Sequence, residues 1–149
     1  MSDMNQLFAS LEDILTGMNE IAAELEEVIF QERQAVRELD AEKLVQLSEK
    51  RSLLHKLMGE MELQCRALLS EGGAPESMRV ETFIDLYAGS SASSFQALRR
   101  ELYERLSRVD RDNTDNYVRM HAAYDVTHAV LQQIGVIESR QTYGRREAR

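Results

Sequence analysis

Tryptophan is absent from this 149-residue chain, which carries one proline, one cysteine, seven glycines and only nine phenylalanines and tyrosines together. Each scarcity excludes something. A lone cysteine, Cys65, closes no internal disulfide, and its place on an apolar seam is that of a small hydrophobe, so a reducing cytoplasm is the expected setting. With Pro75 alone, and with glycines either isolated (Gly17, Gly59, Gly135) or gathered at Gly72-Gly73, Gly89 and Gly144, long stretches are free of helix breakers. No run approaches the ~20 apolar residues of a membrane span. Positive charge is missing from the first 32 residues, which hold eight carboxylates and no lysine or arginine. The basic start of a secretory signal is therefore missing too.

The net charge of −8 disfavours nucleic-acid phosphates as partners. It is unevenly placed: the last ten residues, with Arg140, Arg145, Arg146 and Arg149 against Glu147, carry +3, which leaves −11 for residues 1–139. Catalytic chemistry has no foothold in the pattern. Cys65 has no base placed to activate it, no glycine-rich phosphate loop follows a strand, and the carboxylates are spread along solvent faces. His121, Asp125 and His128 share one side of a helix at steps of four and three. They flank an apolar seam without a fourth ligand, so no metal is expected. His55 stands alone as a solvated histidine. The reading is a non-enzyme without cofactors.

What the chain has in abundance is helical rhythm. Apolar residues return at alternating steps of three and four: Leu7, Leu11, Ile14, Met18, Ile21, Leu25, Val28; then Leu44, Leu47, Leu54, Met58, Met61, Cys65, Leu68, with Arg51 interrupting. A third ladder runs Leu102, Leu106, Val109, Asn113, Asn116, Met120, Ala123, Thr127, Val130, Ile134, Ile137. A mean step of 3.5 keeps one stripe turned toward a partner helix over many turns. The fold class is all-α: a long antiparallel helical hairpin, a short helix and a long C-terminal helix forming an elongated bundle or coiled coil in a single domain. The expected helices span 4–39, 41–70, 76–88 and 95–139, with a tail at 140–149. Asp40 is the expected N-cap of the second helix. So tight a junction pairs Val28 with Leu54 and Ile21 with Met61. It also sets Glu32 beside Arg51, the two charges that interrupt the stripes, as a register-setting bridge.

Pro75 is placed to open the short helix, and Gly89 through Ser94 read as a flexible joint. In the last helix Asp110 through Asn116 gather poor helix formers, and Asn113 and Asn116 fall on the seam, so a kink or polar layer is expected there. A helix of ~45 residues, roughly 68 Å long, outruns hairpin arms of roughly 45–55 Å. Past the asparagines, Val126, Ala129, Val130, Leu131, Ile134, Val136 and Ile137 spread over more than one face, more apolar surface than a single partner covers. Met18, Met58, Met61 and Met120 read as gap-fillers.

With these segments laid out, the sequence resembles the FlgN-type flagellar export chaperones. The likeness rests on the acidic helix ending in Glu32-Arg-Gln-Ala-Val36, on Asp40 followed by Leu44, Leu47 and Lys50, and on Leu53-Leu54, Leu57 and Arg66. It continues with Asn113-x-x-Asn116, the apolar stretch after it, and Tyr143-Gly144. The filament-cap chaperones and the soluble export-apparatus rod proteins share the rhythm but match the asparagine pair and the Tyr-Gly less well. The resemblance implies a cytoplasmic protein that binds hook-filament junction (hook-associated) proteins, keeps them unassembled and escorts them to the export gate of the flagellar type III system. It implies further that the C-terminal amphipathic helix, here Met120 through Ile137, holds the client, and that Tyr143 is a candidate contact with the gate. The client-facing residues are then Met120, Ala123, Val126, Val130, Leu131, Ile134 and Ile137, meeting the client's amphipathic terminus helix to helix. Without a client, weak homodimerisation through the same stripe is expected. The rival reading is an oligomeric coiled-coil scaffold or another helical protein of the export apparatus.

Overall fold

The computed structural model describes residues 3–134, apart from the side chains of Met120, Ala123, Tyr124 and Thr127. Every element among them is helical: α1 (Met4–Glu38), α2 (Ala41–Glu71), α3 (Val80–Tyr87), a 3-10 turn (Gly89–Ser91) and α4 (Ala92–Gln133). Two compact units divide within α4, one ending at Asp112 and the other beginning at Asn113.

In the first unit α1 and α2 form the hairpin, and two residues make its bend. Leu39 takes the left-handed conformation (φ 56°) and its amide donates to Val36, while the Asp40 amide donates to the Ala35 carbonyl at 2.9 Å. That closes the last carbonyls of α1. Asp40 then opens α2, its carboxylate accepting from the Lys43 amide at 3.0 Å. A leucine in a left-handed position is strained, and Leu39 is 78% exposed, so its side chain packs on little. Leu39→Gly is expected to raise unfolding stability by about 1 kcal/mol, read as a higher urea midpoint at unchanged slope.

At the other end Gly73 (φ 84°) stops α2, with the Ala74 amide donating to the Leu69 carbonyl. The expected helix over 76–88 is shorter at its start. Pro75 opens a single turn, closed by the Met78 amide on its carbonyl, and α3 begins only at Val80. The joint expected over 89–94 is also tighter. Gly89 (φ 58°) reverses the chain, Ser91 bonds back to Ala88, and α4 starts at Ala92 instead of residue 95. Three bonded residues thus replace a loose linker.

α3 seals this end of the hairpin. Phe83 and Ile84 are fully buried, and the Phe83 ring lies 5.6 Å from that of Phe8, which in turn meets Phe95 edge-on at 5.1 Å. Gly72 admits the close approach. A methyl group built there would stand 2.8 Å from Phe83 Cζ and 3.1 Å from Leu7 Cδ1. Gly72→Ala is therefore expected to cost about 1–3 kcal/mol in the same unfolding measurement, because a buried ring has nowhere to retreat.

The core has two parts. One gathers Leu7, Leu11, Ile14, Met18, Cys65, Leu69, Phe83, Phe95 and Leu102; the other Leu25, Val28, Ile29, Ala35, Leu47, Leu54 and Val109. Arg51 of α2 donates to Glu32 of α1, whose side chain is 5% exposed against 23% for the arginine. In the second unit α4 is helical through Gln133, across the asparagines.

Candidate protein-binding surface

The first stretch of α4 runs beside α1 in a fixed register. Asn19 donates its side-chain amide to the Leu98 carbonyl at 3.5 Å, Arg105 lies 3.5 Å from Glu26, and Arg33 lies 3.3 Å from Asp112. The sequence separation is 79 for the first two pairs and the same again for the third. Both helices advance by seven residues between contacts, so they run parallel, two turns per step, as in a coiled coil. Arg108 adds a second cation to Glu26 at 3.7 Å. These pairs alternate sign: an α4 arginine meets an α1 carboxylate, then an α4 carboxylate meets an α1 arginine. Their side chains are about a third exposed, so they set alignment more than stability.

One heptad column of α4 reads Leu102, Val109, Asn116, Ala123, Val130. Its first three members are buried, at 7%, 4% and 3% exposure. Val130 is 51% exposed, and beside it Val126 and Ile134 are 64% and 66% exposed. Leu131 is half-buried, and so is Asn113, whose Oδ1 is enclosed without a hydrogen-bond partner among the described residues. One apolar stripe thus passes from covered to uncovered along a single helix. Tyr117 and Val118, also exposed, extend the open surface, and the Tyr117 ring meets that of His121 at 4.3 Å. Sequence reasoning missed these two because they lie beside the ladder. Of the other expected client-facing residues, Met120 and Ala123 lie in the helix with their side chains not described, and Ile137 lies outside the described residues, as does Tyr143, the candidate gate contact.

A second set of exposed apolar side chains, Val45, Leu53, Leu57 and Leu63, lies on α2. Val45 and Leu63 fall on one line of the helix and Leu53 and Leu57 on a neighbouring one, spaced along its length as single surface hydrophobes are. Burial, and after it the neighbouring Glu62 carboxylate, hold the Cys65 thiol above its ordinary pKa, so the thiolate needed for nucleophilic attack is disfavoured. His121, Asp125 and His128 are all exposed, and among the described residues no group of three or more His, Cys, Asp or Glu side chains could hold a metal ion. Nor is any helix of the described residues long and apolar enough to cross a membrane.

Fold and surface together define an all-α bundle whose last helix carries an uncovered apolar stripe. The family model described as FlgN protein matches residues 1–148, and the chain belongs to that family, a family of flagellar export chaperones that bind flagellar client proteins. No curated protein and no solved structure matches the chain.

Proposed function

We propose that this chain is a cytoplasmic chaperone for hook-filament junction proteins, which it keeps unassembled and escorts to the export gate. It performs no catalysis and needs no cofactor. The observation that carries this is the change of exposure along one heptad column, from Leu102, Val109 and Asn116 to Val130. An amphipathic client helix covers this exposed stretch in the present reading, its apolar side chains displacing water from Val126, Val130 and Ile134 with Leu131 at the edge. Burying each such side chain is worth about 1.5–3 kcal/mol before the cost of ordering the client.

The acidic first helix keeps wrong acidic partners away. Tyr143 is the gate contact in this reading, offering apolar area with a polar tip. Co-expression with hook-filament junction proteins followed by gel filtration tests the assignment. A soluble complex that survives high salt is the expected result. A client released by salt alone, or a chain that elutes as a concentration-independent oligomer indifferent to the client, overturns it.

A further inference from the structure

The eight carboxylates of the first 32 residues sort into two sets once the hairpin is folded. Asp3 caps α1, Glu12 stands beside Phe95 and Leu98 of α4, Glu26 answers Arg105 and Arg108, and Glu32 answers Arg51. The other four are Asp13, Glu20, Glu24 and Glu27. All are exposed and none makes an ion pair among the described residues, although Glu27 accepts from the Gln31 side chain at 3.0 Å. Steps of seven, four and three place these four on one line of α1.

That line borders a groove. Gln6 and Ser10, which precede Asp13 on it, share a cavity with Leu68 and Glu71 of α2, so this edge of α1 runs along the edge of α2 that carries Leu68, Gln64, Leu57 and Leu53. The α4 contacts of α1, at Asn19, Glu26 and Arg33, lie on its other side. Between the two edges Gly17 leaves a gap in α1, filled by the Met61 side chain reaching over from α2; a methyl group built at Gly17 would collide with it. Gly17, Ile21, Met61 and Leu68 are half-buried, with Leu57 38% exposed and Leu53 56%. On α2 alone Leu53 and Leu57 are single surface hydrophobes; beside α1 they continue an apolar floor. One wall of that groove is four carboxylates, and on the other the sole cation is Lys50, at the bend.

We infer that this groove takes a second partner, a basic amphipathic helix of another protein, with its apolar stripe on Leu57, Met61 and Gly17 and its lysines or arginines opposite Asp13, Glu20, Glu24 and Glu27. Charge complementarity selects the occupant. Four like charges within roughly 21 Å of helix, with no cation among them, repel one another in the free chain, and a cationic flank relieves that repulsion. An acidic helix, an anionic lipid surface or a nucleic acid meets the same wall with the wrong sign. The apolar floor supplies contact area and the carboxylate wall supplies selectivity and fast encounter. This site shares no residue with the α4 stripe assigned to the client, so either can fail alone.

The test uses the full chain and two synthetic amphipathic helical peptides with the same leucine stripe, one flanked by lysines and one by glutamates. Fluorescence anisotropy at about 0.01 M salt is expected to show the lysine peptide binding at least about tenfold tighter, with the gap closing toward 1 M salt. Glu20→Lys with Glu24→Lys is expected to invert the preference. Glu76→Lys with Glu104→Lys changes the net charge equally at exposed positions away from the groove and is expected to preserve it. Leu53→Gln with Leu57→Gln, both exposed positions, should weaken the lysine peptide about tenfold, while Ile134→Asp should leave it unchanged. Equal affinity for the two peptides, or an equal loss from the two charge-reversed pairs, overturns the inference, because attraction to the chain's overall charge then explains the binding. Release by Ile134→Asp puts the peptide on the α4 stripe and overturns it while leaving the client face intact. Self-association that Glu20→Lys with Glu24→Lys dissolves puts a second copy in the groove and overturns it as well.

Discussion

Val130→Asp combined with Ile134→Asp abolishes capture of a hook-filament junction protein while the urea midpoint of the free chain stays where it was. Both side chains are more than half exposed, so in the free chain the new carboxylates remain in water and unfolding is little affected. In a complex they are forced against apolar surface without a partner. Each substitution then loses about 1.5–3 kcal/mol of apolar burial and adds a desolvation cost of several kcal/mol, enough to raise Kd by more than about a hundredfold. Gel filtration of co-expressed proteins reads the loss directly. Leu131→Asp is the instructive companion. Leu131 is half-buried, so the same change there is expected to lower stability as well as binding. Retained capture by the double variant sinks the assignment of this face.

Arg51→Ala is the second large effect. It leaves the Glu32 carboxylate enclosed between α1 and α2 with its cation gone, at a cost of about 2–4 kcal/mol in urea unfolding. Replacing both members, Glu32→Leu with Arg51→Met, is expected to return the midpoint close to that of the parent, because no buried charge then remains. If the single variant unfolds like the parent, the pair has no part in holding the hairpin. If the double variant is as unstable as the single one, the loss comes from packing and not from an orphaned charge.

These two sites differ in how far the sequence announces them. The hairpin is legible because its parts are local: Asp40 is the kind of residue that caps a helix, and two apolar ladders meet across it with their only charged interruptions, Glu32 and Arg51, facing one another. Val80, Phe83, Ile84 and Tyr87 recur at helical spacing on one side of a short helix, and periodicity alone marks Phe83 and Ile84 for burial. Val130 and Ile134, both exposed, are legible as later members of the α4 ladder, with Val126 beside it.

Other features escape a one-dimensional reading. That Pro75 opens a lone turn and not the helix itself depends on where the Phe83 ring must land against Phe8 and Gly72, a packing constraint with no local signature. Leu39 in a left-handed cap has no propensity to advertise it, because glycine is the residue such a position favours. The parallel register of α1 and α4 is the largest omission. Its signal was present as Glu26 and Arg33, seven apart, against Arg105 and Asp112, seven apart with signs reversed, yet charged residues at heptad spacing are too common in a chain with 30% charged residues for that pairing to stand out.

The central claim, that the open part of the α4 seam is where the client helix lies, is tested most directly by alkylation of a single thiol at Val130→Cys in a Cys65→Ser background, with and without a bound junction protein. The account predicts that the client slows modification at residue 130 by at least about tenfold, as burial at an interface core requires. Modification as fast in the complex as in the free chain, with a thiol at Leu53 or Leu57 of α2 protected instead, would place the client on the other helix and contradict it.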